Sequence, residues 1–308
     1  MSFSNDVRQE ILTSLSDKDK RFACLYGMLL FCRTVSDTQI CFQSEKSIVA
    51  EAFEKLMKVV FKDSVKVNKS SSTRKNGSTL YVFEIDDGES IEQILNKYKI
   101  DPKERRINSE LIVNNSLGVF AAGIFLACGS ISDPHKEYHL EFSVTEQSLA
   151  EELTKLLSTI EVSAKTVVRR GQFVVYIKES ESIEDVITFI GAPMCTLELM
   201  DIKVVKSVRN KVNRIVNCDS ANLNKVIDAA IRQTEDIRLI DRTIGLENLS
   251  DELREVAELR INNADMSLQE IGESLEKPIS RSGVNHRFRK IAKIAGELRC
   301  EGVKKNES

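Results

Sequence analysis

The 308 residues, 42% of them hydrophobic, suffice for two or three domains with true cores, which excludes disorder over most of the length. Charged residues make up 30% and Pro numbers only 4, a composition that favours helix and excludes extended Pro-rich linkers. The formal net charge of -3 makes no overall case for a polyanionic partner, so any such case rests on local clusters.

At the N-terminus, MSFSNDVRQEILTSL reads as a helix carrying acidic residues and lacks the apolar core of a signal peptide. No stretch approaches ~20 consecutive apolar residues, so the chain is expected to be cytoplasmic and to have no membrane partner. Seven Cys without a C-x-x-C pair fit thiols in a reducing compartment.

The segment FACLYGMLLFCR at 22–33 is apolar with one central Gly, and GVFAAGIFLACG at 118–129 superposes on it without gaps. Gly27 lies over Gly123 and Cys32 over Cys128. After the first come an alternating strand at Gln39–Gln43, an amphipathic helix at Ile48–Val60, a strand at Leu80–Ile85 and a helix starting at Glu89. After the second come Tyr138–Ser143, Leu149–Ile160, Phe173–Ile177 and a helix starting at Glu181. Ala50-Glu51 and Lys55-Leu56 recur as Ala150-Glu151 and Lys155-Leu156. The unit is therefore duplicated.

A helix apolar nearly all round must be buried, and a mid-helix Gly costs roughly 1 kcal/mol relative to Ala unless packing uses it. Gly27 and Gly123 are therefore expected where the two helices cross, on a pseudo-twofold axis. Two hairpin regions are basic at corresponding places, Lys66, Lys69, Arg74 and Lys75 before Gly77, and Lys165, Arg169 and Arg170 before Gly171. They suit phosphate contact along a groove or serve as solvated loop tips. Asp133, in Ser132-Asp133-Pro134, reads as a turn residue.

AAGIFLACG at 121–129 resembles the motif helix of the LAGLIDADG homing endonucleases. The resemblance implies a duplicated αββαββα unit forming a saddle-shaped DNA-binding sheet, with metal-holding acids near the ends of the two motif helices. Those acidic positions fall on Cys32 and Cys128. A thiol is a poor substitute for oxygen ligands of a hard cation, and two-metal phosphodiester cleavage needs both ions placed ~4 Å apart. Cleavage is therefore expected to be lost, with no metal or cofactor, and the two Cys are expected as small buried residues at the helix crossing.

Further on, Lys203–Arg214 holds five basic residues and no acid, Lys206 and Arg209 among them, and serves either as a DNA contact or as a link between domains. It continues through Asn217–Asn222 into another helix to about Arg238, which Asp219 or Ser220 is placed to cap. From Asn248 the pattern changes to short helices with tight breaks: Leu249–Ile261, then Leu268–Leu275 after the capping sequence Ser267-Leu268-Gln269-Glu270. In a third helix Val284, Phe288, Ile291 and Ala295 share one face, and Ser282, His286, Arg289 and Lys293 the opposite one, flanked by Asn285 and Lys290. Between Lys277 and Arg299 there are seven Lys or Arg against the single acid Glu297.

A short helix, a tight turn and a basic helix make a helix-turn-helix whose second helix enters the major groove. Ser280, Ser282 and Gly283 permit close approach, Arg281, Asn285 and Arg289 suit base edges, and Lys290 and Lys293 suit phosphates. His286 is as well explained by surface exposure as by contact.

NRIVNCDSANLNKVIDAA at 213–230 and SLQEIGESLEKPISRSGVNHRFRKI at 267–291, with the degenerate repeat, resemble the WhiA regulators of Gram-positive bacteria over nearly the whole chain. The resemblance implies an α+β repeat domain at 1–200, a basic helical linker at 201–240, an all-α helix-turn-helix domain at 241–300 and a disordered tail at 301–308. It also implies a non-enzymatic regulator, linked to sporulation, cell division and chromosome segregation, with a C-terminal domain similar to region 4 of sigma factors. The expected partner is double-stranded promoter DNA in the nucleoid, together with another transcription factor or RNA polymerase. The competing reading is a scaffold whose repeat domain binds a partner protein.

Overall fold

The computed structural model describes residues 2–74, 77–113 and 116–306. The chain divides into two units between Lys206 and Ser207.

In the first unit, helix α1 (Phe3–Thr13) precedes α2 (Lys18–Leu30), strands β1 (Thr34–Val35) and β2 (Ile40–Ser44), helix α3 (Ser47–Phe61), strands β3 (Asn68–Thr73) and β4 (Thr79–Ile85), and helix α4 (Gly88–Tyr98). The second copy comprises α5 (Leu117–Cys128), β5 (Gly129–Ile131), β6 (Leu140–Val144), α6 (Gln147–Ser158), β7 (Lys165–Arg169), β8 (Gln172–Ile177) and α7 (Ser180–Phe189). Each copy builds an antiparallel four-stranded sheet, in the orders β1-β2-β4-β3 and β5-β6-β8-β7. The repeat read from the sequence is thus an αββαββα unit present twice.

Packing explains the shared spacing. On α3, Val49, Ala50, Phe53, Leu56 and Met57 are buried, and on α6 the corresponding Leu149, Ala150, Leu153, Leu156 and Leu157 are buried. These positions recur at i, i+3/i+4 and i+7, the stripe a helix needs to cover a sheet. In the sheets Phe42 faces Phe83 and Phe142 faces Val175, alternate positions pointing into the core. Phe42 stacks on Phe53 with ring centroids 4.1 Å apart.

The two apolar helices α2 and α5 meet where the glycines predict. The Cα atoms limit the approach: a Cβ at Gly27 would lie 3.1 Å from the Gly123 Cα and on the Phe120 carbonyl oxygen, and one at Gly123 would lie 3.1 Å from the Gly27 Cα and on the Cys24 carbonyl oxygen.

Helix α1 docks through a buried cation that its sequence does not announce. Arg8 Nη2 donates to the Gly129 carbonyl at 2.6 Å, and Nη1 donates to the Ser4 carbonyl and hydroxyl at 2.8 and 2.7 Å. The Ser4 hydroxyl in turn accepts the Ile131 N–H at 3.2 Å. Burial draws the Arg8 guanidinium down to about 10, so it stays charged at neutral pH.

Helix α8 (Pro193–Thr243) departs from expectation. Asp219 and Ser220 cap nothing, because the helix runs straight through Asn217–Asn222. The reason is compositional: Pro193 occupies the first helical position, where Pro is tolerated, and neither Gly nor Pro follows until Gly245. Cys195, Leu199 and Ile202 join the first unit's core, and Ile237 and Ile240 join the second unit's core.

The second unit adds α9 (Asp251–Asn262), α10 (Leu268–Glu273) and α11 (Arg281–Asn306). Its core contains Val256, Ala257, Ile271, Leu275, Val284, Phe288, Ile291 and Ala295. Helix α11 thereby runs to Asn306, through most of the segment expected as a disordered tail.

Candidate nucleic-acid interface

Helices α10 and α11 are fixed by local chemistry. Ser267 and Glu270 form a reciprocal capping box: the Glu270 N–H donates to Ser267 Oγ at 3.3 Å and the Ser267 N–H to Glu270 Oε2 at 2.7 Å. The Ser267 N–H first, and then the Ser267 hydroxyl, hold the Glu270 carboxyl below its usual range. Gly272 lets the next segment pass close by, since a Cβ there would strike the Ile279 carbonyl oxygen and lie 3.1 Å from Val284 Cγ2. The Ile279 N–H then donates to the Gly272 carbonyl at 3.1 Å and closes the turn. Ser280 caps α11, accepting the Gly283 N–H on its hydroxyl at 3.3 Å.

With that turn set, Val284, Phe288, Ile291 and Ala295 all face the core. Ser280, Arg281, Ser282, His286, Arg289, Lys290 and Lys293 are exposed, and Asn285 is half-buried. One continuous surface therefore collects every α11 residue singled out from the sequence.

The basic side chains of this unit sort by direction. Those turned toward their own unit are engaged: Arg287 contacts Glu252 at 3.8 Å and Arg299 contacts Asp236 at 2.6 Å. Arg260, only 2% exposed, donates to the Ala264 and Met266 carbonyls at 3.2 and 2.6 Å and lies over the Phe288 ring. Among the described residues Arg281, Arg289 and Lys290 make no ion pair, and Lys293 reaches only Glu297 at 4.0 Å, where both side chains are exposed. Exposed pairs of that kind are worth little, so the outward face keeps its positive charge.

In the first unit the basic hairpin residues are largely committed. Lys69 pairs with Glu54 at 2.7 Å, Arg74 with Glu45, Lys66 with Asp87 at 3.1 Å and Arg169 with Glu141 at 3.6 Å. Lys206 donates to the Pro134 carbonyl at 2.6 Å and sits over the Tyr138 ring. Arg170 and Arg209 make no ion pair among the described residues, and Lys75 lies outside them. Asp133 forms the expected turn, accepting the His135 N–H at 2.9 Å.

The positions where the resemblance places metal-holding acids do not fit a metal. The Cys32 thiol donates to the Thr34 carbonyl at 3.3 Å and the Cys128 thiol to the Ile124 carbonyl at 3.4 Å. Burial pushes both thiols up to about 12, which keeps them protonated. A guanidinium already serves the end of α2: Arg105, 2% exposed, donates from Nη1 to the Leu30 and Cys32 carbonyls, each at 2.9 Å. Its Nε and Nη2 contact Glu146 and Thr145 at 2.7 and 2.8 Å. Neutral sulfur donors beside a fixed cation repel a hard divalent ion.

The two-part arrangement matches two family models, the WhiA C-terminal HTH domain over residues 212–295 and the WhiA LAGLIDADG-like domain over residues 117–209. The chain belongs to the WhiA family. A probable cell division protein WhiA from Clostridium novyi is 40% identical and covers 98% of this chain and 100% of its own length. Its namesake from Caldicellulosiruptor bescii is also 40% identical, with 98% of this chain and 97% of the relative covered. The crystal structure of full-length WhiA from Thermatoga maritima is similar across 96% of this chain and 99% of that one, with a TM-score of 0.58 and 25% identity. A WhiA chain thus carries a degenerate LAGLIDADG-like unit and a helix-turn-helix.

Proposed function

We propose that this chain is a sequence-specific DNA-binding regulator of transcription, acting in cell division, sporulation and chromosome segregation, and that it cuts nothing. The observation that carries the proposal is the α11 surface, where Arg281, Arg289 and Lys290 point outward without ion pairs while the other side of the helix is locked into the core. A recognition helix needs that division of labour, because unneutralised donors reach base edges and phosphates only from a rigid support. The relatives' name supports the role in cell division; sporulation and chromosome segregation rest on the resemblance, and residence in the nucleoid follows from binding promoter DNA. A transcription factor or RNA polymerase as further partner rests on the resemblance alone.

Arg281, Asn285 and Arg289 are assigned to base edges, Lys290 and Lys293 to phosphates, and Ser280, Ser282 and His286 to the rim of the contact. Auxiliary phosphate contacts from the remaining basic residues fall first to Arg170 and Arg209. Lys69, Arg74 and Arg169 would have to leave Glu54, Glu45 and Glu141.

Genome-wide mapping of bound sites supplies the duplex for the test. Arg289→Ala is expected to weaken specific binding by ~1–3 kcal/mol and relax one base position, whereas Lys290→Ala weakens all duplexes alike and lowers the salt slope by about 1. Unchanged affinity in both variants rejects α11 as the reading helix. Metal-dependent strand cleavage of the same duplex with Mg²⁺ rejects the non-enzymatic reading.

A further inference from the structure

The two repeats differ in one groove. In the first, Lys69 of β3 crosses from the strand to Glu54 of α3 and covers Phe83, leaving 150 Å³ of open space. The corresponding residues in the second are Thr166 of β7 and Thr154 of α6, by the shared register opposite Phe83 and Val175. The two threonines meet only hydroxyl to hydroxyl, at 3.5 Å, and the groove beside them opens to 670 Å³. Its lining sets the apolar Ala150, Val167, Phe173 and a Val168 that is 64% exposed, where β3 carries Ser71, beside the polar Gln147, Glu151 and Lys155.

The rim of this groove is an unpaired sheet edge, since β7 is the last strand of its sheet. Arg170 (φ 50°) and Gly171 (φ 77°) form a two-residue turn of the primed type, so Arg169 and Gln172 close it as a hydrogen-bonded pair. Alternation then directs the N–H and C=O of Thr166 and Val168 away from β8, toward solvent. Natural sheets blunt such edges with charge or bulges. Strand β3 carries Lys69 and serines along its length, whereas β7 confines its charges, Lys165 and Arg169, to its two ends and exposes Val168 between them.

We propose that β7 is a docking edge for an extended, acidic segment of a partner protein, which adds to the sheet as a further strand and sets an apolar side chain in the groove. Backbone pairing supplies affinity in this mode and alternate side-chain pockets supply selectivity. Charge selects the occupant: Lys155, Lys165, Arg169 and Arg170 surround the edge, against Glu151, which Gln147 engages, and Glu141, which Arg169 engages. A second copy in antiparallel register would set Lys165 against Arg169, a like-charge pairing that destabilises. Thr166 and Val168 face α6, and half of the outward backbone groups of β7 are carbonyls, which pair with a peptide and repel a phosphate.

The test is fluorescence anisotropy with the full chain and a short labelled peptide of alternating Val and Glu. Binding is expected to saturate and to fall by at least about tenfold (~1.4 kcal/mol) when alternate peptide amides are N-methylated. The T154E/T166K variant, which rebuilds the bridge of the first repeat, is expected to lose binding to the same degree with its thermal midpoint retained, while Arg289→Ala binds the peptide normally. Absence of saturable binding, indifference to N-methylation, displacement of the peptide by duplex DNA, or a dimer of the chain that T154E/T166K dissolves would each overturn the proposal.

Discussion

Gly123→Ala tests the axis of the duplicated unit. The added methyl gains about 1 kcal/mol of helix propensity, so on an open helix it stabilises. Here it meets backbone: the Cys24 carbonyl group, its carbon 2.9 Å away, and the Gly27 Cα at 3.1 Å. Neither can rotate aside as a side-chain tip would, so α2 and α5 have to part along a contact that buries Tyr26, Phe120 and Ile124. Overpacking against backbone belongs at the upper end of its range, about 3 kcal/mol, and subtracting the propensity gain leaves about 2 kcal/mol of destabilisation. For a unit of this size that lowers the midpoint by roughly 4–8 °C. Differential scanning calorimetry of the full chain measures it, with Gly296→Ala as the control, because a Cβ at Gly296 in α11 meets nothing within 4 Å. Control and test should move in opposite directions, and a Gly123→Ala midpoint that holds or rises would refute the crossing.

Thiol labelling under native conditions should modify Cys218 and Cys300, the two exposed cysteines of seven, first, then Cys128, which is half-buried against expectation; fast labelling of Cys32 would contradict its burial. The Glu181 carboxyl is held at about 2, chiefly by its hydrogen bond from Lys203, against an ordinary 4.5. A depressed carboxyl contributes stability above its unfolded value and loses it as pH falls, so Glu181→Gln should flatten the pH dependence of unfolding between about pH 4.5 and 2 and leave it unchanged near neutrality. Cys32→Asp places a carboxylate beside the Arg105 guanidinium and is expected to pair with it, giving no Mg²⁺-dependent cleavage of bound duplex; strand scission by that single variant would show that the missing acid alone silences the site.

The repeat was legible because its spacing is set by packing: α3 and α6 must lay the same stripe on a sheet, and two helices apolar on every side must bury each other. The outward face of α11 was legible for the same reason, since Val284, Phe288, Ile291 and Ala295 fix which way the rest points. Long-range polar contacts left no such trace. Arg8 reaches Gly129, Arg105 reaches Leu30, and nothing adjacent in sequence distinguishes either from a solvated arginine. The continuity of α8 was missed because Asp219 and Ser220 are good caps wherever a helix starts, yet only a breaker or a lapse in periodicity makes a start necessary. The basic hairpins looked like phosphate contacts because their acidic partners Glu45, Glu54 and Glu141 lie on other elements.

The buried arginines bear on the proposal that the chain cuts nothing. The carbonyls at the C-terminal end of a helix carry partial negative charge and favour a cation. Each of the two helices receives a guanidinium at that end from a flanking segment: Arg105 at the Leu30 and Cys32 carbonyls that close α2, Arg8 at the Gly129 carbonyl that follows α5. Each is positively charged and held by buried hydrogen bonds, so neither leaves without uncovering carbonyls that have no other donor of equal strength. The C-terminal ends of α2 and α5 are therefore closed by the chain's own cations. The proposal that the chain cuts nothing rests on the packing at these helix ends as well as on the residues at positions 32 and 128.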